Sequence, residues 1–128
     1  MRLVINGSEH KAVEVMEAEH LRSLFASQEN LEIWITHETG SLLCALLNAR
    51  FGWMMFLRFP EDAGFSSRNC MISSNESDTE SFILANGQVD RYPRKWTFER
   101  DAILDAVIDF AQSGIRPLSV DWHDDTVS

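Results

Sequence analysis

Cysteine is scarce in this chain: Cys44 and Cys70 are the only two among 128 residues. They form no Cys-x-x-Cys pair and no multi-cysteine framework, which excludes a disulfide scaffold and leaves reduced thiols, the default in a cytosolic protein. Basic residues are also few, eleven against twenty acidic ones, for a net charge of −9. That balance argues against nucleic acid as a ligand, because phosphate binding calls for a basic surface. It suits solubility or a basic partner. No stretch approaches the roughly 18 apolar residues of a membrane span. The opening Met1-Arg2-Leu3-Val4-Ile5 is too short for a signal peptide and lacks a small-residue cleavage site. The expectation is a cytoplasmic protein that does not contact membrane. Gly64, Gly87 and Gly114 stand alone, so there is no phosphate-cradling glycine loop. Ser66-Ser67 and Ser73-Ser74 lack the Gly-x-Ser-x-Gly frame of a nucleophile elbow.

Apolar residues make up 45% of the chain, with eight Phe and four Trp. That is enough for one folded domain over residues 1–128 with a real core. Residues 2–5 alternate weakly and lead into an Asn6-Gly7 turn, with a second short strand over 11–15. Residues 17–27 read as a helix with Ala18, Leu21, Leu24 and Phe25 on one face. Leu31, Ile33 and Ile35 alternate with Glu32, Trp34 and Thr36, a strand pattern. Trp34 lies opposite the aliphatic face, packed as core or presented to a partner. The apolar runs 42–47 and 53–59 predict a central hairpin buried on both faces for part of its length, although periodicity alone also permits a helix in the first run. Residues 60–68 read as a loop and a candidate functional surface. Cys70-Met71-Ile72 reads as a short strand pairing with 80–85. Asn86-Gly87, between Phe82-Ile83-Leu84-Ala85 and Gln88-Val89-Asp90, predicts a type I′ hairpin turn. Residues 98–113 form the clearest helix, with Thr97 as N-cap, Gly114 past its end and Pro117 beyond. Leu118, Val120 and Trp122 alternate as a last strand. The fold class is α+β: a mainly antiparallel sheet with two helices packed on it.

Each candidate for chemistry has an ordinary reading beside it. Asp121 and His123 share one side of a strand and, with Asp124, offer ligands to a divalent metal. The ordinary reading is a solvated acidic end. Glu61-Asp62 resembles half of an acid–base pair, but Pro-Glu-Asp-x-Gly is also good turn chemistry. Cys44 sits in an apolar run as a core residue. Arg91, Arg94 and Lys95 make a basic cluster too small for DNA, suited to pairing with nearby acids. Asp101, Asp105 and Asp109 line one helix face. Such a row is either plainly solvated or a docking surface for a basic protein.

Three segments together carry a resemblance. The first is Asn48-Ala49-Arg50-Phe51-Gly52-Trp53-Met54-Met55-Phe56-Leu57, continued by Pro60-Glu61-Asp62-Ala63-Gly64-Phe65-Ser66-Ser67-Arg68. The second is Phe82-Ile83-Leu84-Ala85-Asn86-Gly87-Gln88-Val89-Asp90-Arg91-Tyr92-Pro93. The third runs from Ala102 to Trp122, with Phe110, Gly114-Ile115-Arg116-Pro117 and Asp121-Trp122. Over roughly residues 30–125 the chain resembles the Imm-type immunity proteins of bacterial polymorphic toxin systems, in the branch often found beside deaminase-type toxin domains. The resemblance implies a small α+β protein, not an enzyme, that binds its cognate toxin domain and blocks its active site. The expectation is a monomer forming a 1:1 complex, with no metal or cofactor. Asp62, Phe65, Asp78, Asp90 and Tyr92 are the expected contact residues, chosen for expected exposure; Asn86, Gly87 and Pro93 are expected to serve the fold. Two other classes stay open: a small metal-dependent enzyme using Asp62 or the Asp121/His123/Asp124 group, and a non-inhibitory adaptor or secretion chaperone.

Overall fold

The computed structural model describes residues 1–10, 17–71 and 78–127. Among them the strands are β1 (Arg2–Ile5), β2 (Ser8–His10), β3 (Leu31–Thr36), β4 (Leu42–Leu47), β5 (Phe51–Leu57), β6 (Phe65–Arg68), β7 (Thr79–Ile83), β8 (Val89–Pro93), β9 (Phe98–Glu99) and β10 (Asp121–Asp124). The helices are α1 (Ala18–Ala26) and α2 (Arg100–Ser113), with one 3-10 turn over Arg94–Trp96. Eight strands form one sheet in the order β10-β6-β5-β4-β3-β1-β2, with β9 also on β5. β7 and β8 pair only with each other, and every pairing is antiparallel. The α+β class expected from the sequence is the one observed.

The side-chain period of two decides how the layers stack. In β3, Leu31, Ile33 and Ile35 are buried on the face that meets Leu21 and Phe25 of α1 and Ile103, Val107 and Phe110 of α2. The opposite face carries a second cluster in which Cys44, Leu46 and Trp53 are covered by Phe82 of the β7–β8 hairpin. Trp34 packs into that second cluster. The central β4–β5 hairpin is therefore buried on both faces, which explains its unbroken apolar runs. Gly52 makes the helix layer possible, because a Cβ there would lie 2.8 Å from Ile103 Cγ1.

Several local expectations are corrected. The two-residue turn with positive φ at both centres is Asn6-Gly7 (φ 50° and 82°), joining Ile5 to Ser8. At Asn86-Gly87 only Gly87 is left-handed, at φ 87°. The Gly87 N–H donates to Leu84 C=O (2.9 Å) and the Leu84 N–H to Gln88 C=O (2.8 Å). The loop is thus the three-residue kind, with the glycine in the bulge position. Cys70 and Met71 lie in a turn and pair with no strand; Ile72, like the expected strand 11–15, falls outside the described residues. Part of the expected 60–68 loop is strand β6, paired with β5 and β10. The second helix starts at Arg100, because Phe98 and Glu99 pair with Gly52 and Phe51 first. Thr97 does not cap it: its Oγ1 donates to Arg94 C=O at 2.7 Å. The last strand is 121–124 rather than 118–122, and Leu118 is 87% exposed.

Candidate protein-binding site

The five expected contact residues do not form one surface. Phe65 lies on the helix side of the sheet, near Phe56 (6.2 Å between ring centres). Tyr92 lies on the hairpin side, stacked on Trp53 at 4.2 Å and 6° between planes. Half-buried Asp90 sits beside it and accepts hydrogen bonds from Gln88 Nε2 (2.8 Å) and the Tyr92 hydroxyl (3.4 Å). Burial first, and then Asp90's charge, push the Tyr92 phenol up to about 12. Tyr92 is therefore half-buried against the second cluster, with its hydroxyl bonded to Asp90. Asp78 stands just before β7 and accepts the Arg94 N–H at its carbonyl (2.9 Å).

Asp62 and Phe65 are brought together, through Arg58. The Asp62 carboxylate accepts from Arg58 Nε (2.8 Å), Nη2 (3.0 Å) and backbone N–H (3.0 Å). Its side chain is only 3% exposed. The Arg58 bonds hold its carboxyl well below the usual range. Such a forked pair fixes the loop it closes. Within that loop Glu61 has φ 75° and Gly64 φ 76°. A non-glycine residue in the left-handed region costs of order 1 kcal/mol and persists only where its surroundings hold it. Gly64 has no alternative, since a Cβ there would stand 2.4 Å from Phe56 O.

This clamped loop displays Phe59, which is 53% exposed. Arg58 lies 5.6 Å from the ring centres of both Phe59 and Phe65. From the other side Arg116 lies 4.4 Å over Phe65. The segment carrying Arg116 also exposes Ile115 (66%) and Leu118 (87%). It is held by Ser41 Oγ donating to Gly114 C=O (3.0 Å) and Trp122 Nε1 donating to Pro117 C=O (2.7 Å). Two loops thus meet at Phe65 through their arginines, one exposing Phe59 and the other Ile115 and Leu118. Aromatic residues and arginine are the types enriched where proteins bind proteins. Sequence reasoning missed Phe59 by reading it as the end of a strand, and Leu118 by reading it as strand alternation. The available signal was a large apolar residue on each side of a proline-marked turn.

The other candidates resolve individually. Burial pushes the Cys44 thiol far up, so it is an inert core residue. Ser66 Oγ donates to Asp125 (2.7 Å) and Ser67 Oγ to Trp96 C=O (2.9 Å). His123 Nε2 lies 3.6 Å from Asp125, and Asp124 accepts from the Thr126 N–H at 2.9 Å. No group of three or more His, Cys, Asp or Glu among the described residues is placed to hold a metal ion. Asp101, Asp105 and Asp109 are all exposed on α2, and Asp105 pairs with Arg22 of α1 at 2.6 Å. No helix among the described residues is long and apolar enough to cross a membrane. Compared with protein-family models and with curated proteins, the chain matches none.

Proposed function

We propose that this protein is an immunity protein that binds and inhibits a bacterial toxin domain, a nucleic-acid deaminase being the toxin class its resemblance implies. It acts in the cytoplasm as a monomer in a 1:1 complex. The observation that carries this reading is a pair of tied-down loops that meet at Phe65 and expose Phe59 on one and Ile115 and Leu118 on the other. Pre-ordered loops bind without losing conformational freedom at the moment of association. Exposed apolar side chains beside arginines supply the anchors of a binding surface. The excess of nine negative charges supplies the second element. A toxin that acts on nucleic acid has a basic cleft, and an acidic inhibitor is steered to it and occupies it in place of phosphates.

The division of labour differs from the one expected from sequence. Asp62 and Asp90 are committed to internal hydrogen bonds, so charge reversal at either would report first on folding. The exposed Asp101 and Asp109 suit steering better. The test is co-expression of the toxin domain encoded beside this chain, with and without it, followed by co-purification. Survival together with a stable 1:1 complex supports the proposal; continued killing without a complex overturns it.

A further inference from the structure

Away from the patch, the end of β6 and the 3-10 turn enclose a recess of about 520 Å³ lined by Arg68, Asn69, Cys70, Lys95 and Trp96. Its walls are tied to one another. The Asn69 N–H donates to Lys95 C=O (2.8 Å) and its Nδ2 to Thr97 C=O (3.0 Å). Ser67 Oγ ties down Trp96 through its carbonyl. The recess is therefore pre-shaped.

Its two cations stand without a carboxylate partner. Arg2, Arg22, Arg58 and Arg94 each hold one: Glu9, Asp105, Asp62 and Glu80. Arg68 and Lys95, like Arg50, Arg91, Arg100 and Arg116, have none within 4 Å among the described residues; what sets Arg68 and Lys95 apart is that they line one recess together. Asp121 stands directly across the ladder from Arg68 but makes no ion pair with it, and Asp125 accepts from Ser66 Oγ. The Arg68 guanidinium lies 3.7 Å over the Trp96 ring. Its Nη1 donates to Ser66 Oγ and Ser67 C=O, both at 2.9 Å. Those contacts use the face and one edge of the group. The other edge, Nε–H with Nη2–H, is the fork that grips a carboxylate through two parallel bonds. That fork has no acceptor among the described residues. Burial lowers the Arg68 guanidinium's pKa against the pull of Asp125, as for a cation desolvated ahead of its counter-ion.

We propose that this recess is a carboxylate-binding site for a protein partner, which places an Asp or Glu side chain between Arg68 and Lys95. The fork takes the two oxygens, the Lys95 ammonium adds charge, and Trp96 forms the floor. The chain's net charge of −9 keeps an isolated carboxylate weakly bound. A carboxylate carried on a docked partner is held at high effective concentration and adds to the affinity of the whole contact. The site holds for any protein partner and does not require that partner to be a toxin.

The test is a ¹⁵N NMR titration of the full chain at low salt, with the Trp96 indole signal assigned through Trp96→Phe. The probes are a blocked tetraglutamate peptide and, separately, inorganic phosphate. The expected result is a saturable shift with the peptide, confined to the Trp96 indole and the amides near Asn69 and Lys95, with a dissociation constant of order 1 mM. Lys95→Glu abolishes it. Arg68→Lys, which keeps the charge and removes the fork, weakens it about tenfold. Three results overturn the proposal: no saturable shift up to about 10 mM peptide, an undiminished shift in Lys95→Glu, or binding of phosphate as tight as that of the peptide. The last would make the recess a site for small oxyanions instead.

Discussion

Ser67 shows how much of this molecule rests on single polar atoms. It is fully buried, and its hydroxyl accepts the Met54 N–H (3.1 Å) while donating to Trp96 C=O (2.9 Å). The hydroxyl stands in for ladder bonds along β5 between the stretches paired with β6 and β9. Ser67→Ala leaves a buried donor and a buried acceptor unmet, so denaturant unfolding is expected to show a loss of about 1–3 kcal/mol. Arg100 is a second such atom cluster. Its guanidinium donates to the carbonyls of Phe25 (3.2 Å), Gln28 (2.7 Å), Glu29 (2.5 Å) and Asn48 (2.6 Å). One side chain therefore closes the end of α1 and ties it to the β4–β5 turn, a favourable place for a cation. Arg100→Lys keeps the charge but cannot reach four acceptors. A loss on the order of 3 kcal/mol is expected in the same measurement. Asp62 gives a pH signature. Its folded carboxyl is depressed by Arg58, so its stabilising effect is complete above the ordinary value of about 4 and fades as pH falls below it. The stability gap between the wild type and Asp62→Asn should be constant from pH 5 to 7 and narrow toward pH 2.5; a gap independent of pH would contradict the clamp.

At the scale of elements, the turns separate what patterning conveys from what it does not. Asn-Gly occurs at 6–7 and at 86–87, yet only the first takes the two-residue form. The strands themselves set the difference. Ile5 pairs with Ser8, whereas Ile83 pairs with Val89, which leaves room for a longer loop. In the second turn Gly87 carries the left-handed conformation, and Asn86 Oδ1 accepts the Gln88 N–H at 2.9 Å. Gly87→Ala should therefore cost about 1 kcal/mol, and Asn86→Ala less than Gly87→Ala, as judged by thermal unfolding. A type I′ turn would make both positions costly to fill with ordinary residues. Gly52→Ala tests the helix layer. The added Cβ meets Ile103, and overpacking of about 1–3 kcal/mol is expected. Strands with one buried face, such as β3, were legible because their alternation is strict. The start of α2 was not, because Phe98 and Glu99 fit a helical pattern and are claimed by the edge of β5 instead. The loop 58–64 was legible as a turn from Pro60 and Gly64. Its clamp was not, because a contact between Arg58 and Asp62 depends on Glu61 adopting positive φ.

For the whole molecule, three layers leave distinct surfaces. The helix layer shows acids, the hairpin shows the exposed pair Ile83 and Val89 (46% and 50%), and the end of the sheet shows the patch around Phe59. The candidate contact set was only partly legible in sequence. Asp62 and Phe65 do fall at the patch, but as its clamp and its floor, while Tyr92 stacks half-buried on Trp53 on the other face of the sheet. Exposure is a property of the assembled layers, and an aromatic in an alternating strand gives no sign of which face the hairpin will cover. The central claim is that the patch anchors a toxin domain, and the most direct test is protection from that toxin by two folded variants. Phe59→Asp combined with Leu118→Asp should abolish survival and co-purification while leaving thermal unfolding close to wild type. Val89→Asp, on the outer face of the hairpin, should protect fully. Full protection by the patch variant, or its loss in the hairpin variant alone, would contradict this account.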